Sequence, residues 1–469
     1  MPSPQNHTDV QSEISNAGST PRITLAQATQ VWAKIGWLSF GGPAGQIALM
    51  HRELVEQRRW ISESRFLHAL NYCMLLPGPE AAQLAIYIGW LMHRTLGGLI
   101  AGLLFVLPGA IVMLGLSLLY ASVGQLPIVL AIFFGLKAAV LAVVVEAVMR
   151  IGHRALKGRF FLALAVLAFM AIHAFRVPFP LIIAGAALAG SVAWRTRPGW
   201  FAPAALAEAL AGEDYVIDRM MLRGQTTHTR PSPRHALRTA TIGLLLWAAP
   251  IIAVIVAQGH HSVLAREGMF FSETAVVTFG GAYAVLAFVA QRVVAGYGWL
   301  SPAQMLDGLA LAETTPGPLI IVLQFVAFMA AFQHQSGMSP WLAGIIGSAL
   351  TVWVIFVPCF IWIFVGGPYI EALRGNRTLH AALSAVTAAV VGVVLNLSVW
   401  FMEHTLFGSV RTLSIGVIHL DVPQLATLNP AALLLASGAM VAMLRFHVGM
   451  TWTLGICACL GVALRYAGL

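Results

Sequence analysis

Leu76-Pro77-Gly78-Pro79-Glu80 interrupts one long apolar segment, and Phe40-Gly41-Gly42-Pro43-Ala44-Gly45 interrupts the segment before it. Proline lacks the backbone donor and clashes with the preceding turn, and glycine is the weakest ordinary helix former. A helix reaching either run stops, and a new one can start just beyond, with Pro43 and Pro79 suited to a first helical turn. Inside a membrane, broken backbone is tolerated only where protein or a wet cavity satisfies its polar groups. Two such breaks side by side point to a binding site.

The composition places these runs in a membrane. Of 469 residues, 59% are hydrophobic and only 10% charged, with a mean hydropathy of +0.82. That excludes an ordinary soluble domain and indicates a polytopic membrane protein. Lys and Arg number 27 against 18 acids, a net +9. The basic residues sit in short loops between apolar runs, as the positive-inside rule has it, so nucleic acid is not an expected partner. Cys73, Cys359, Cys457 and Cys459 lie in apolar stretches at no metal or redox spacing. Residues 1–23 are polar, lack the order of a signal peptide, and are expected to form a disordered cytoplasmic tail.

Working outward, apolar segments fall into six, a linker, one more, and six again. The boundaries expected are repeat 1 at 24–194, a cytoplasmic linker at 195–237, a linking transmembrane helix at 238–258 and repeat 2 at 259–469. A shift of 239 residues lays Phe40-Gly41-Gly42 on Phe279-Gly280-Gly281, Trp60 on Trp299, and Pro77-Gly78-Pro79 on Pro316-Gly317-Pro318. Over positions 40–84, 13 of 45 residues are identical with no gap. Shared apolar composition alone gives about a tenth. A shift of 250 then aligns Pro108 with Pro358 and Ala138-Ala139-Val140 with Ala388-Ala389-Val390. With one odd segment between them the repeats have opposite orientation, as in many secondary transporters. The fold class expected is thus an all-α polytopic membrane protein, with two inverted-topology repeats of about six helical segments each plus one linking helix. The pieces 62–76 and 79–94 are each about 15 residues, roughly 22 Å of helix against a core of about 30 Å. Re-entrant or strongly broken hairpins are therefore expected, and they keep the loop bearing Arg52, Arg58, Arg59 and Arg65 on the linker's side.

A helix start exposes free N–H groups and the positive end of the dipole, a ready anion site. Candidate starts follow Gly42, Pro77, Gly281 and Pro316; the alternative is that these residues only kink packed helices. The candidate substrate-binding set is Gly41, Gly42, Pro43, Gln46, Pro77, Gly78, Pro79, Glu80, Lys137, Gly280, Gly281, Thr315, Pro316 and Gly317. Lys137 lies ten residues past Pro127, near mid-bilayer, where a cation is either a counter-charge for an anion or a paired or snorkelling lysine. Glu80 suits a helix dipole and could equally serve proton coupling. Glu146 and Arg150 have the spacing of a structural ion pair. No metal-ligand spacing, cofactor motif, catalytic spacing or nucleotide-binding loop appears, so neither an enzyme nor an ATP-driven pump is expected.

Phe40-Gly41-Gly42-Pro43-Ala44, Arg58-Arg59-Trp60, Leu76-Pro77-Gly78-Pro79-Glu80-Ala81 and Phe105-Val106-Leu107-Pro108-Gly109 together resemble the signature of the chromate ion transporter family in its long, two-domain form. Thr278-Phe279-Gly280-Gly281 and Thr315-Pro316-Gly317-Pro318 are similar to its degenerate second copy. The resemblance implies a secondary transporter of the bacterial inner membrane that exports chromate, a sulfate-like dianion, and confers chromate resistance. Alternating access, with the anion at broken-helix N-termini, is the mechanism expected. The partners expected are chromate or sulfate, the lipid bilayer, a coupling ion (proton or counter-anion) and a second copy in a homodimer. The N-terminus is expected in the cytoplasm. A passive anion channel, a sulfate transporter and a membrane-embedded enzyme stand as alternatives. In the second copy Pro43 becomes Ala282, Glu80 becomes Leu319 and Arg58-Arg59 becomes Tyr297-Gly298, so unequal contributions to the site are expected.

Overall fold

A computed structural model describes residues 23–74, 76–201, 215–224, 226–279, 282–335, 337–369, 377–416 and 418–467. Gly280 and Gly281 and residues 1–22 lie outside it. Repeat 1 begins with α1 (Leu25–Leu38), α2 (Gly42–His51, continued by a π-helical turn Arg52–Gln57) and α3 (Glu63–Cys73). It continues with α4 (Glu80–Val123), α5 (Pro127–Ala155), α6 (Arg159–His173) and α7 (Phe179–Thr196). The linker contributes α8 (Val216–Leu222), and α9 (Pro233–Gln258) joins the repeats. Repeat 2 runs α10 (Val263–Val277), α11 (Ala282–Ala290, continued by a π-helical turn Gln291–Gly296) and α12 (Pro302–Glu313). Then come α13 (Val322–His334), α14 (Pro340–Gly366), α15 (Arg377–Leu406), α16 (Pro430–Leu444) and α17 (Met450–Tyr466). The short antiparallel hairpin β1 (Val410–Ile415) and β2 (Ile418–Pro423) was not expected from the sequence. Among the described residues six helices are long and apolar enough to cross a membrane: α4, α5, α7, α9, α14 with its final turn, and α15.

Local chemistry sets the boundaries. Pro127, Pro233, Pro302, Pro340 and Pro430 open helices, where the missing N–H costs nothing. Thr24 and Ser301 form capping boxes with Gln27 and Gln304. The duplication extends to irregularities: the two π-helical turns, Arg52–Gln57 and Gln291–Gly296, occupy equivalent positions under the 239-residue shift. α4 breaks at His93 and Arg94, where Arg94 takes φ 54°.

The first segment of repeat 1 folds back on itself. Lys34 and Glu53 are 19 residues apart, which along one helix is about 28 Å, yet Lys34 Nζ lies 2.6 Å from Glu53 Oε1. The reversal keeps one set of loops together. The His93 ring bonds Ile23 O at 2.9 Å, Ile217 N–H donates to Trp60 O at 2.9 Å, and the His228 ring bonds Trp90 O at 2.9 Å. The start of α1, the loop before α3, the break in α4 and the linker therefore share one face. Repeat 2 gathers its equivalent loops elsewhere: the His334 ring bonds Trp299 O at 3.0 Å and Gln335 donates to Gln258 at 2.9 Å. Between the two sets runs α9, whose 26 residues span about 39 Å. One odd helix between two like-built halves gives them opposite orientation.

The halves interlock. α5 of repeat 1 packs against α16 and α17 of repeat 2, and α15 of repeat 2 packs against α6 and α7 of repeat 1. Glycine permits the close approach. A Cβ on Gly461 would meet Ala131 O at 2.5 Å, and one on Gly190 would meet Ala381 O at 2.5 Å. Ala131 and Ala381 are equivalent residues under the 250-residue shift. Small residues of this kind drive helix association where lipid supplies no hydrophobic force.

Candidate functional site

Each Pro-Gly-Pro loop is clasped by the opposite repeat. Gly78 N–H donates to Thr278 O at 2.8 Å, and Gly317 N–H donates to Ser39 O at 2.8 Å. Thr278 and Ser39 are themselves equivalent, so the exchange is reciprocal. Both loop glycines have positive φ, 118° and 92°, a conformation that favours residues without a Cβ. Gln46 adds a third tie, its buried Nε2 donating to Gly317 O at 2.5 Å. Thr315 is buried and its hydroxyl turns back to Leu311 O, and Pro316 packs its carbonyl beside Gly109. Pro77 O accepts from Gln83.

On one side of this clasp lies a cavity of about 1060 Å³. Pro43, Ala44 and Gly45 from the first turn of α2, Gly78 and Glu80 at the start of α4, and Ala282 and Tyr283 at the start of α11 line its inner end. Arg150 and Arg154 of α5 supply positive charge, while Phe66, Leu67, Leu70 and Met74 make one wall apolar. His51, Arg52 and Glu56 put its mouth on the linker face. A smaller cavity of about 300 Å³ adjoins it, sharing Ala147, Arg150 and Tyr283 and adding Gly41, Glu146 and His447. Gly41 and Gly42 turn the chain into α2 at φ 87° and 66°.

The candidate set therefore divides. Pro43, Gly78 and Glu80 line the larger cavity and Gly41 the smaller one; Gln46, Thr315, Pro316 and Gly317 lie in the buried seam between repeats. Of the four helix starts named from sequence, the two Pro-Gly-Pro loops use their glycine N–H on the other repeat. Lys137 is not a free counter-charge: its Nζ is 2.9 Å from Asp307 Oδ1, and the Tyr120 hydroxyl donates to Asp307 Oδ2 at 2.8 Å. Among the cations lining the cavity is instead Arg150, which also pairs with Glu146 as its spacing indicated. Its role in the cavity was missed. Ala147, Arg150, Ile151 and Arg154 recur at helical spacing, and all four line the larger cavity; that periodicity was the available signal.

An interlocked pair of oppositely oriented helical repeats, broken at glycine and proline around a basic cavity, defines a multi-pass membrane protein of the inverted-repeat kind. The chain belongs to the chromate transporter family, whose model matches residues 26–191 and again 267–462. It is 34% identical to the chromate transport protein of Pseudomonas aeruginosa over 379 residues, 80% of each chain. It is 28% identical to the chromate transport protein of Cupriavidus metallidurans, over 81% of this chain and 84% of that one. A probable chromate transport protein of Synechococcus elongatus is 27% identical over 85% and 90%. No solved structure matches the chain.

Proposed function

We propose that this protein is a secondary active transporter that exports chromate across the bacterial inner membrane by alternating access, with sulfate as a competing substrate. The observation that carries the reading is the cavity: it opens on the linker face, ends at the starts of α2 and α11, and presents Arg150 there. Helix starts and a guanidinium suit a tetrahedral oxyanion, whose desolvation demands both donors and counter-charge. The linker face is cytoplasmic in this reading, since Arg195, Arg197, Arg219, Arg223, Arg230 and Arg234 lie in the linker region. The N-terminus is then cytoplasmic as well. Asp307, buried and paired with the half-buried Lys137, closes the half of the molecule equivalent to the cavity and favours a carrier over an open channel.

Counterflow in proteoliposomes tests this. Unlabelled chromate inside should drive uptake of labelled chromate and, more weakly, of labelled sulfate, each recovered chemically unchanged. Flux indifferent to trans anion indicates a channel, and altered chromate an enzyme. Impermeant thiol reagents applied to intact cells should spare a cysteine at position 57 and label one at position 260. Cross-linking in the membrane checks the homodimer included in this reading.

A further inference from the structure

Glu313 ends α12, just before the second Pro-Gly-Pro loop, and is 2% exposed. The Tyr283 hydroxyl donates to its Oε1 at 2.8 Å. Its Oε2 has no hydrogen-bond partner, and no ion pair among the described residues includes it. A carboxyl group at membrane depth without a cation is costly to keep and marks function by default. Tyr283 links it to the outside, because that side chain lines both cavities. The charged groups acting on it across this junction are Arg150 and Glu146 of α5, with His447 lining the far side of the smaller cavity. On its own helix, Asp307 is committed to Lys137 and Tyr120.

The duplication supplies an internal control. Under the 239-residue shift Met74 stands where Glu313 does, and Ala44 where Tyr283 does. Repeat 1 builds the same hairpins with those apolar residues, so the fold does not require the acid or the phenol.

We propose that Glu313 is a proton-binding site linked to anion occupancy of the cavity, with the Tyr283 hydroxyl connecting it to cavity water. This rests on the anion reading above. The sign follows from charge. An anion beside Tyr283 and Arg150 disfavours a neighbouring carboxylate and favours the acid, and by reciprocity the acid favours the anion. A proton passes from cavity water to the carboxylate as the anion enters and returns as it leaves, so proton and anion cross together.

Sulfate is the probe, because it remains a dianion near neutral pH whereas chromate itself takes up protons there. Purified protein in weak buffer should take up as much as about one proton per sulfate bound, and sulfate affinity should fall by up to about tenfold per pH unit as Glu313 ionises. E313Q, a fixed neutral mimic, should still bind sulfate but without proton uptake and with affinity independent of pH. E313D should restore the uptake, which a merely structural role would not do. Uptake that persists in E313Q overturns the proposal, as does sulfate binding to the wild-type protein without proton uptake, a measurement that does not depend on any variant folding. Binding of neither anion overturns the anion reading and this proposal together.

Discussion

Lys137 shows what a residue reveals before its surroundings are known. Its depth in α5 was legible; its partner was not, because Asp307 lies in the other repeat and no spacing rule joins them. The same holds for Arg150, legible as an ion-pair partner of Glu146 but not as a cation lining the cavity. Asp307 is buried while Lys137 is 20% exposed, so removing the lysine strands the acid at a cost below the about 3–5 kcal/mol of a fully buried pair. K137M should therefore lower thermal stability in detergent, and K137M/D307N should recover much of the loss. Equal losses in the single and double variants would mean that the pair is not energetically coupled. The glycines sort in the same way. A Cβ on Gly42 meets nothing, so G42A carries only the left-handed backbone cost of about 1–2 kcal/mol. Gly317 has the same backbone constraint and the Gly109 Cα at 3.3 Å from its added Cβ. G317A should thus reduce membrane abundance more than G42A, the reverse of an order based on repeat 2 being the degenerate copy.

At the scale of elements, breaks were easier to read than departures from helix. Pro and Gly mark the starts of α2, α4 and α11, and the short pieces indicate hairpins. The π-helical turns Arg52–Gln57 and Gln291–Gly296 carry no such shared signal. The β-hairpin had one, alternating residues about Gly416, that the surrounding apolar helices obscured. The linker is a different matter: Asp218, buried, accepts from Arg65 Nε at 2.8 Å and from Ser62 N–H at 3.2 Å, so this polar stretch is tied to the first hairpins. His228 makes that docking sensitive to acid. Burial lowers its affinity for a proton, the Trp90 carbonyl opposes this, and nearby Arg94 adds to it. Because its value is lowered on docking, the contribution is present above the free histidine value of about 6.5 and is lost as pH falls below it. Protection factors for amide exchange in α8 should fall as pH drops below about 6.5, and H228Q should flatten that response.

The whole molecule was the most legible level, because duplication leaves identities that no single helix could carry. What the repeat could not disclose is that the halves adopt different states at their equivalent surfaces. Thr387 lines the open cavity, whereas its equivalent Lys137 is closed against Asp307; Leu70 lines it, whereas its equivalent Leu309 is fully buried. In the alternating-access reading proposed above, exchanging the two arrangements would give the state open on the other face. Chromate should then lower labelling of T387C from the linker face and raise labelling of L309C from the opposite face; changes in the same direction at both would exclude such an exchange. The mutual embrace of α5 with α16 and α17 also has a consequence for biogenesis. The face of α5 that Gly461 of α17 approaches enters the bilayer long before the helices that cover it, which are made roughly 300 residues later. At about 5–20 residues per second that is a wait of some 15–60 seconds. Until then α5 must be shielded by lipid or by the insertion machinery, and a chain stopped before α16 should be a target for membrane quality-control proteolysis even though every helix of its first half is complete.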